Sequence, residues 1–128
     1  MQSTAAGVNL DVDRGPDWIF VRVNPPETTS EQADADAPQL AEAVWALLEQ
    51  NFIYRCVLEL DRIQLLRSYM VGQLIMLTKR IHSHGGVLRI CGLSAANEEV
   101  LRCCQIADQL PNYRDRGDAV MGSRLKPR

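Results

Sequence analysis

The sequence lacks the features that mark a membrane protein or a nucleic-acid binder. No apolar run approaches the roughly 20 residues that span a bilayer, and residues 1–11 contain no Lys or Arg. The 14 Lys and Arg residues against 16 Asp and Glu give a net charge of -2, which argues against general electrostatic binding of nucleic acid. We therefore predict a cytoplasmic protein with no membrane span and no nucleic-acid partner.

The chain also lacks a disulfide framework. It has four cysteines, and no two of them are spaced as C-x-x-C. Two are adjacent in a predicted helix, which is a poor geometry for a disulfide or a shared metal ion. Small buried side chains in a reducing compartment are the simpler interpretation. The four predicted buried thiols are Cys56, Cys91, Cys103 and Cys104.

Motifs for nucleotide or metal chemistry are missing as well. Neither G-x-x-x-x-G-K-[ST] nor G-x-G-x-x-G occurs, so no glycine-rich phosphate loop is present. His82 and His84 are two residues apart at a predicted helix end, so they should be exposed on different faces. Asp61 ends a predicted strand, as in a phosphoacceptor receiver domain, but the partner residues of such a site are absent. We predict no catalytic residues, no metal, no cofactor and no enzymatic activity.

The sequence does contain enough apolar material for one domain. Of its 128 residues, 46% are hydrophobic and 23% are charged. Residues 1–61 carry three basic and eleven acidic side chains, whereas residues 62–128 carry eleven basic and five acidic ones. This asymmetry fits either a partner surface or two halves that neutralise each other on packing.

Apolar periodicity and turn residues predict the secondary structure. A hairpin turn is expected at Arg14–Asp17, and a solvated acidic loop at 24–38. A short extended piece near Tyr113 and a turn over Asp118–Met121 should end the fold. The main predicted elements are strands Val8–Val12, Trp18–Val23, Tyr54–Leu60 and Val87–Leu93, and helices that begin at Pro38, Ser68 and Ser94.

This alternation of strands and helices predicts a single α/β domain. We expect a mixed sheet of four to five strands, covered by about four helices. The predicted boundaries are a flexible N-terminal tail over residues 1–7, the domain over 8–121, and a flexible basic C-terminal tail over 122–128.

The second predicted helix, Ser68–His84, has two distinct sides, with Ser68 as its expected N-cap and Gly85–Gly86 as its stop. An apolar stripe should face the sheet and consists of Met70, Leu74, Leu77 and Ile81. A neighbouring stripe has side chains that suit a contact surface and consists of Tyr69, Gln73, Met76 and Arg80.

The segment from Cys56 to Gly92 resembles a known family. Its strand Val57–Asp61, its helical stretch Leu65–Leu74, and its Gly85–Leu93 strand are similar to the STAS domain of anti-sigma factor antagonists. The resemblance extends over roughly Trp18–Val120, about four-fifths of the chain. It implies a STAS-like α/β fold and a protein-interaction function without enzymatic activity.

The resemblance also implies a phosphorylation site at the start of the second helix, where this sequence departs from the family. The family has an Asp-Ser-Ser/Thr-Gly motif there, and a partner kinase phosphorylates the second hydroxyl. Here Arg67 takes the Asp position, Ser68 the first hydroxyl, Tyr69 the acceptor position and Met70 the first glycine. A further departure is Gln105, where the family often has a glycine. We therefore predict that the usual serine switch is lost.

The function that the resemblance implies is binding of an anti-sigma factor or a serine-kinase-like regulatory protein through this helix. The expected contact residues are Arg67, Ser68, Tyr69, Gly72, Gln73, Met76 and Arg80. Two alternatives stay open: a STAS subunit of a transporter or lipid-trafficking complex, and a small-molecule-binding or enzymatic domain on a similar sheet. The oligomeric state, a homodimer included, is also open.

Overall fold

A computed structural model of the chain describes residues 2–5, 8–24, 40–106 and 109–121, which form six strands and four helices. In chain order these are β1 (Gln2–Ala5), β2 (Val8–Arg14), β3 (Ile19–Asn24), α1 (Leu40–Asn51), β4 (Arg55–Glu59), α2 (Ser68–Ser83), β5 (Val87–Cys91), α3 (Ala95–Cys103), β6 (Asn112–Tyr113) and α4 (Arg116–Met121). The predicted α/β domain with a mixed sheet and about four helices is confirmed.

The six strands lie in the order β1-β2-β3-β4-β5-β6. The first three pair antiparallel, and β2 and β3 form the predicted hairpin. Its turn is closed by a 2.8 Å hydrogen bond from the Gly15 amide to the Trp18 carbonyl. From β3 onward the neighbours are parallel, because crossover connections carry the chain back between them. The parallel strands therefore end at one common edge, where α2 begins.

The main hydrophobic core lies on one face of the sheet. The predicted apolar stripe of α2 is buried there, together with alternate side chains of β3, β4 and β5. The largest fully buried side chains are Leu10, Ile19, Leu40, Leu48, Leu58, Leu60, Leu74, Leu77, Ile81, Ile90, Leu101 and Leu110. We call this the helix-covered face.

The opposite face carries only a small apolar cluster beneath the short helix α4. Its buried members are Val57, Cys91, Tyr113 and Ala119. Half-buried aromatic rings of the β2–β3 hairpin adjoin this cluster. Because α4 has only six residues, it covers a small part of the sheet. We call this the open face.

Glycine follows α2, and a glutamine in a left-handed conformation follows α3. Gly85 has a φ of 73° after α2, and a Cβ on Gly86 would lie 2.2 Å from the Tyr54 carbonyl oxygen, so both positions need glycine as predicted. Gln105 follows α3 with a φ of 63°, in the left-handed region where glycine is preferred. This explains why the resemblance implies a glycine at this position. A glutamine occupies it here at some cost in backbone strain.

Five predictions differ from the structure or fall outside it. Gln2–Ala5 form β1 on the hairpin edge, where we predicted a tail, because their backbone pairs with β2. Cys103 and Cys104 are exposed, since α3 buries only its other side, whereas Cys56 and Cys91 are buried. The acidic loop lies outside the described residues from 25 onward, as do Pro38 and the C-terminal tail 122–128.

Candidate functional site

The loop between β4 and α2 is held by one buried side chain from α3. Asn97 is fully buried, and its side-chain oxygen accepts a 2.9 Å hydrogen bond from the Leu66 amide. Its side-chain amide donates to the carbonyls of Ile63 (3.0 Å) and Gln64 (3.4 Å). Because Asn97 satisfies three backbone groups of this loop, it fixes where α2 begins.

Asn97 is itself placed by the N-terminus of α3. Ser94 is the N-cap, as predicted, and its hydroxyl accepts a 3.2 Å hydrogen bond from the backbone N–H of Asn97. Sequence reasoning missed Asn97. The only available signal was a polar residue on the side of α3 that also carries Leu101.

The N-terminus of α2 differs from the prediction by one residue. Its N-cap is Arg67, which has extended backbone angles and makes no side-chain capping bond, so Ser68 is the first helical residue rather than the cap. Ser68 is exposed, Tyr69 is half-buried against the main core, and Met70 is buried. The three motif positions that follow Arg67 thus run from solvent into the core within one turn of helix.

Two predicted contact residues are engaged by α1. The Gln73 side-chain oxygen accepts a 2.8 Å hydrogen bond from the Ala41 amide in the first turn of α1. The Arg80 guanidinium donates to Glu42 at 2.8 Å and lies 5.0 Å from the ring centre of Trp45. These side chains therefore hold α1 against α2.

The remaining contact candidates stay open to solvent. Met76 is 54% exposed, and a Cβ on Gly72 would meet nothing within 4 Å. Leu65, in the loop before α2, is 62% exposed and was not predicted. No periodic pattern in the sequence marks this residue as exposed. We define the α2 surface as Leu65, Arg67, Ser68, Gly72 and Met76.

The charged side chains of α2 are all basic. The sequence of α2 contains no acidic residue, and its last turn contains Arg80 and His82. Both histidines, His82 and His84, are exposed as predicted, and the His84 ring lies 4.5 Å from that of Trp45. The α2 surface is thus apolar and basic, which suits binding of another protein rather than acid–base chemistry.

The buried cysteines are not activated nucleophiles. Burial raises the pKa of Cys56, and burial with the nearby Glu59 carboxylate raises the pKa of Cys91 to about 12. Both thiols are therefore protonated near neutral pH. Within the described ranges, no group of three His, Cys, Asp or Glu side chains is arranged to hold a metal ion, and no helix is long and apolar enough to cross a bilayer.

A charged network lies on the open face. Glu59 is 4% exposed, and both of its oxygens accept hydrogen bonds from Arg116, at 2.8 and 2.9 Å. Arg116 also donates to Asp13 at 2.8 Å and thereby holds the pKa of Asp13 below its ordinary value. Arg22 adds a 3.5 Å contact to Glu59. This network fastens the first residue of α4 to the sheet.

A cleft of about 550 Å³ opens to solvent between α3 and the strands β5 and β6. Asn112 braces one wall through hydrogen bonds with the Leu93 amide (3.1 Å) and carbonyl (3.2 Å). The cleft is lined by Gly92, Leu93, Glu98, Leu101, Arg102, Leu110, Pro111, Asn112, Tyr113 and Arg114. None of the predicted contact residues lines it.

The whole fold is similar to solved structures of anti-sigma factor antagonists. An anti-sigma factor antagonist from Mycobacterium paratuberculosis matches with a TM-score of 0.71 and 16% identity, over 96% of this chain and 100% of that one. A STAS domain protein from Planctomyces limnophilus matches with a TM-score of 0.69 and 20% identity, over 88% of this chain and 96% of that one.

The Bacillus antagonist SpoIIAA, in its unphosphorylated form, matches with a TM-score of 0.65 and 12% identity, over 91% of this chain and 99% of that one. No family model and no curated protein matches the sequence. The sheet order, the three helices on one face and the full-length overlap with these structures agree with the resemblance found in the sequence. This chain therefore has the fold of a STAS domain.

Proposed function

We propose that this domain is a non-enzymatic interaction module that acts as an anti-sigma factor antagonist in the cytoplasm. Its partner is an anti-sigma factor or a related serine-kinase-like regulatory protein, bound through the α2 surface. The similar solved structures support the class of function, because two of those named above are anti-sigma factor antagonists.

The observation that carries the proposal is the exposure of apolar side chains in the loop before α2 and along α2. Leu65 and Met76 are two of four large hydrophobic residues exposed in the described part of the chain. Gly72 lies between them in the sequence, and because a Cβ there would meet nothing within 4 Å, the helix backbone is accessible at this position. Apolar side chains next to exposed backbone, beside a basic residue such as Arg67, provide the centre and rim of a protein interface.

The remaining predicted contact residues have a supporting role in this proposal. Gln73 and Arg80 position α2 against α1, through Ala41 and Glu42. Tyr69 packs on the main core and fixes the first turn of α2. These three residues therefore influence the partner through the placement of the α2 surface.

The experiment is a binding titration with a candidate partner, a serine-kinase-like anti-sigma factor from the same organism. Met76→Glu should lower the affinity about tenfold or more, because it places a charge at the centre of an apolar contact. Met121→Glu is the matched control, since Met121 is 78% exposed on α4, at the opposite face of the sheet. Equal affinities for the two variants would contradict the proposal.

We also propose that the usual serine switch is absent. Arg67 replaces the acidic residue of the motif, and Tyr69, at the acceptor position, is half-buried. Ser68 is exposed and is the first residue of α2 rather than its N-cap, so its hydroxyl is the position to test. Mass spectrometry after incubation with the partner kinase and ATP should show no stoichiometric phosphate. Phosphate on Ser68, with partner release lost in Ser68→Ala, would refute the proposal.

A further inference from the structure

The open face of the sheet carries a second set of interface-type side chains, at the edge where the parallel strands begin. Trp18 precedes β3, Arg55 starts β4, and Arg89 lies in β5. We call these three residues the arginine–tryptophan surface. We propose that it binds a short acidic segment of a partner protein. This inference does not rest on the function proposed for α2, which lies across the sheet.

Both guanidinium groups of this surface lie against the same indole. The guanidinium carbon of Arg55 is 5.9 Å from the Trp18 ring centre, and that of Arg89 is 5.4 Å from it. Arg89 is also 5.9 Å from the ring of Tyr113. Strand register explains the arrangement. Because Ile19 pairs with Cys56, the residues just before them, Trp18 and Arg55, are also neighbours.

These two arginines differ from the other arginines on this face in what balances their charge. Arg22 and Arg116 form ion pairs with Glu59, and Arg62 forms one with Asp11. In the described part of the chain, no carboxylate forms an ion pair with Arg55 or Arg89. The Nη1 group of Arg89 donates to the carbonyls of Ala119 (2.7 Å) and Val120 (3.2 Å), which are neutral acceptors.

An acidic ligand follows from this geometry. A guanidinium that lies over an aromatic ring still has N–H groups that can donate hydrogen bonds to a carboxylate. Arg55 is exposed, and the Nε and Nη2 groups of Arg89 have no acceptor among the described residues. Because ring contact already restricts these side chains, ordering them costs less on binding. Tryptophan and arginine are also the residues that most often dominate interface energy.

The segment is short because the charge of the same face changes sign along the strands. Asp11, Asp13, Glu59 and Asp61 occupy its other end, where they are paired with arginines. A long polyanion such as nucleic acid would meet these carboxylates. A few acidic residues that contact only Arg55, Arg89 and the edge of Trp18 would not.

The test is an NMR titration of the ¹⁵N-labelled full chain with a synthetic 12-residue peptide of Asp, Glu and Leu. The indole N–H signals of the two tryptophans come from different parts of the molecule, because Trp18 is half-buried on the open face and Trp45 is 3% exposed in the main core. The variant Trp18→Phe identifies which signal belongs to Trp18. We expect the Trp18 signal to shift to saturation and the Trp45 signal to stay. A peptide with Lys in place of each acid should shift neither.

Arg55→Glu should weaken peptide binding about tenfold or more, because it reverses the charge of the exposed arginine of the surface, whereas Arg89 is half-buried. Arg14→Glu is the matched control, since Arg14 is exposed, forms no described ion pair, and pairs in register with Ile19 of the helix-covered face. Absence of a saturable Trp18 shift, equal weakening by the two variants, or tighter binding of a single-stranded DNA 12-mer would each overturn the proposal. The effect of Met76→Glu on partner binding does not bear on the acidic-peptide proposal, so either proposal can be refuted without the other.

Discussion

The two faces of the sheet achieve burial by different means. On the helix-covered face, Leu58, Leu74 and Ile90 are fully buried among other aliphatic side chains. On the open face, Glu59 is almost as buried, but its neighbours are Arg116 and Arg22. The first face depends on non-directional apolar contact with long helices, and the second on directed hydrogen bonds that fasten one short helix.

This difference indicates which buried positions tolerate substitution. An apolar core tolerates exchange among side chains of similar volume, whereas a buried carboxylate requires its cation. The open face therefore carries both its structural weak point, at Glu59, and its candidate recognition residues, at Arg55 and Arg89.

The largest effect should come from breaking the charged network. Arg116→Ala leaves the Glu59 carboxylate buried with only the 3.5 Å contact to Arg22, and we expect a loss of about 2–3 kcal/mol in the free energy of unfolding. Urea unfolding measures it. Arg114→Ala is the control, because Arg114 is exposed where it pairs with the half-buried Asp118, and it should cost less than about 1 kcal/mol. A smaller loss for Arg116→Ala than for Arg114→Ala would show that the network does not hold α4.

The next effect compares the same substitution on the two faces. Val21 and Val57 are both fully buried, on the helix-covered and the open face respectively. Val21→Ala should cost about 2 kcal/mol and Val57→Ala about 1 kcal/mol, because α4 can move to fill the space and the longer helices cannot. Equal costs in thermal and urea unfolding would mean that the open face is packed as rigidly as the other.

A smaller effect distinguishes two neighbours on α2. Gln73→Ala should cost about 1 kcal/mol, because it removes the acceptor for the Ala41 amide. Met76→Glu should change stability by less than about 0.5 kcal/mol, since Met76 is exposed. Calorimetry on both variants checks this. A destabilising Met76→Glu would mean that Met76 belongs to the core and not to the α2 surface.

The smallest effect is the pH dependence due to Asp13. Arg116 lowers the pKa of Asp13 below its ordinary value of 3.8, so the ionised carboxylate stabilises the fold above that pH. This contribution is lost as the pH falls through the lowered pKa. Asp13→Asn should therefore reduce the melting temperature slightly at pH 7 and hardly at all near about pH 2. Asp17→Asn, exposed in the same hairpin and unpaired among the described residues, should show no such difference.

Much of the fold was predictable because it depends on local pattern. The apolar stripe of α2, the stop at Gly85–Gly86 and the capping of α3 by Ser94 are properties of neighbouring residues, and all three are confirmed. Which side of α3 is exposed could not be predicted from the sequence. Cys103 and Cys104 are compatible with either side of a helix, and only the contacts of Leu101 with the core select the buried side.

The sequence predicts a contact surface on the second helix, and the structure shows which of the predicted side chains are open to solvent and which contact α1. The location of this surface at the start of the second helix follows from strand–helix alternation and from the resemblance. Helical spacing placed Gln73 and Arg80 on an outward stripe, but spacing within one helix cannot show that α1 lies beside it and engages both side chains. Leu65 has no periodic pattern, so its exposure was visible only in the structure.

The sequence by itself determined the order of strands and helices from β2 onward, which residues of α2 face the sheet, and where α2 ends, because these depend on side-chain period and backbone preference. Only the tertiary structure decided that Asn97 holds the loop before α2, that Arg116 neutralises the buried Glu59, and that Arg55 and Arg89 meet on Trp18. Those contacts join residues 31 to 71 positions apart in the sequence, so no local pattern brings them together. The pairing of the parallel strands and the packing of the helices on the sheet place them next to each other.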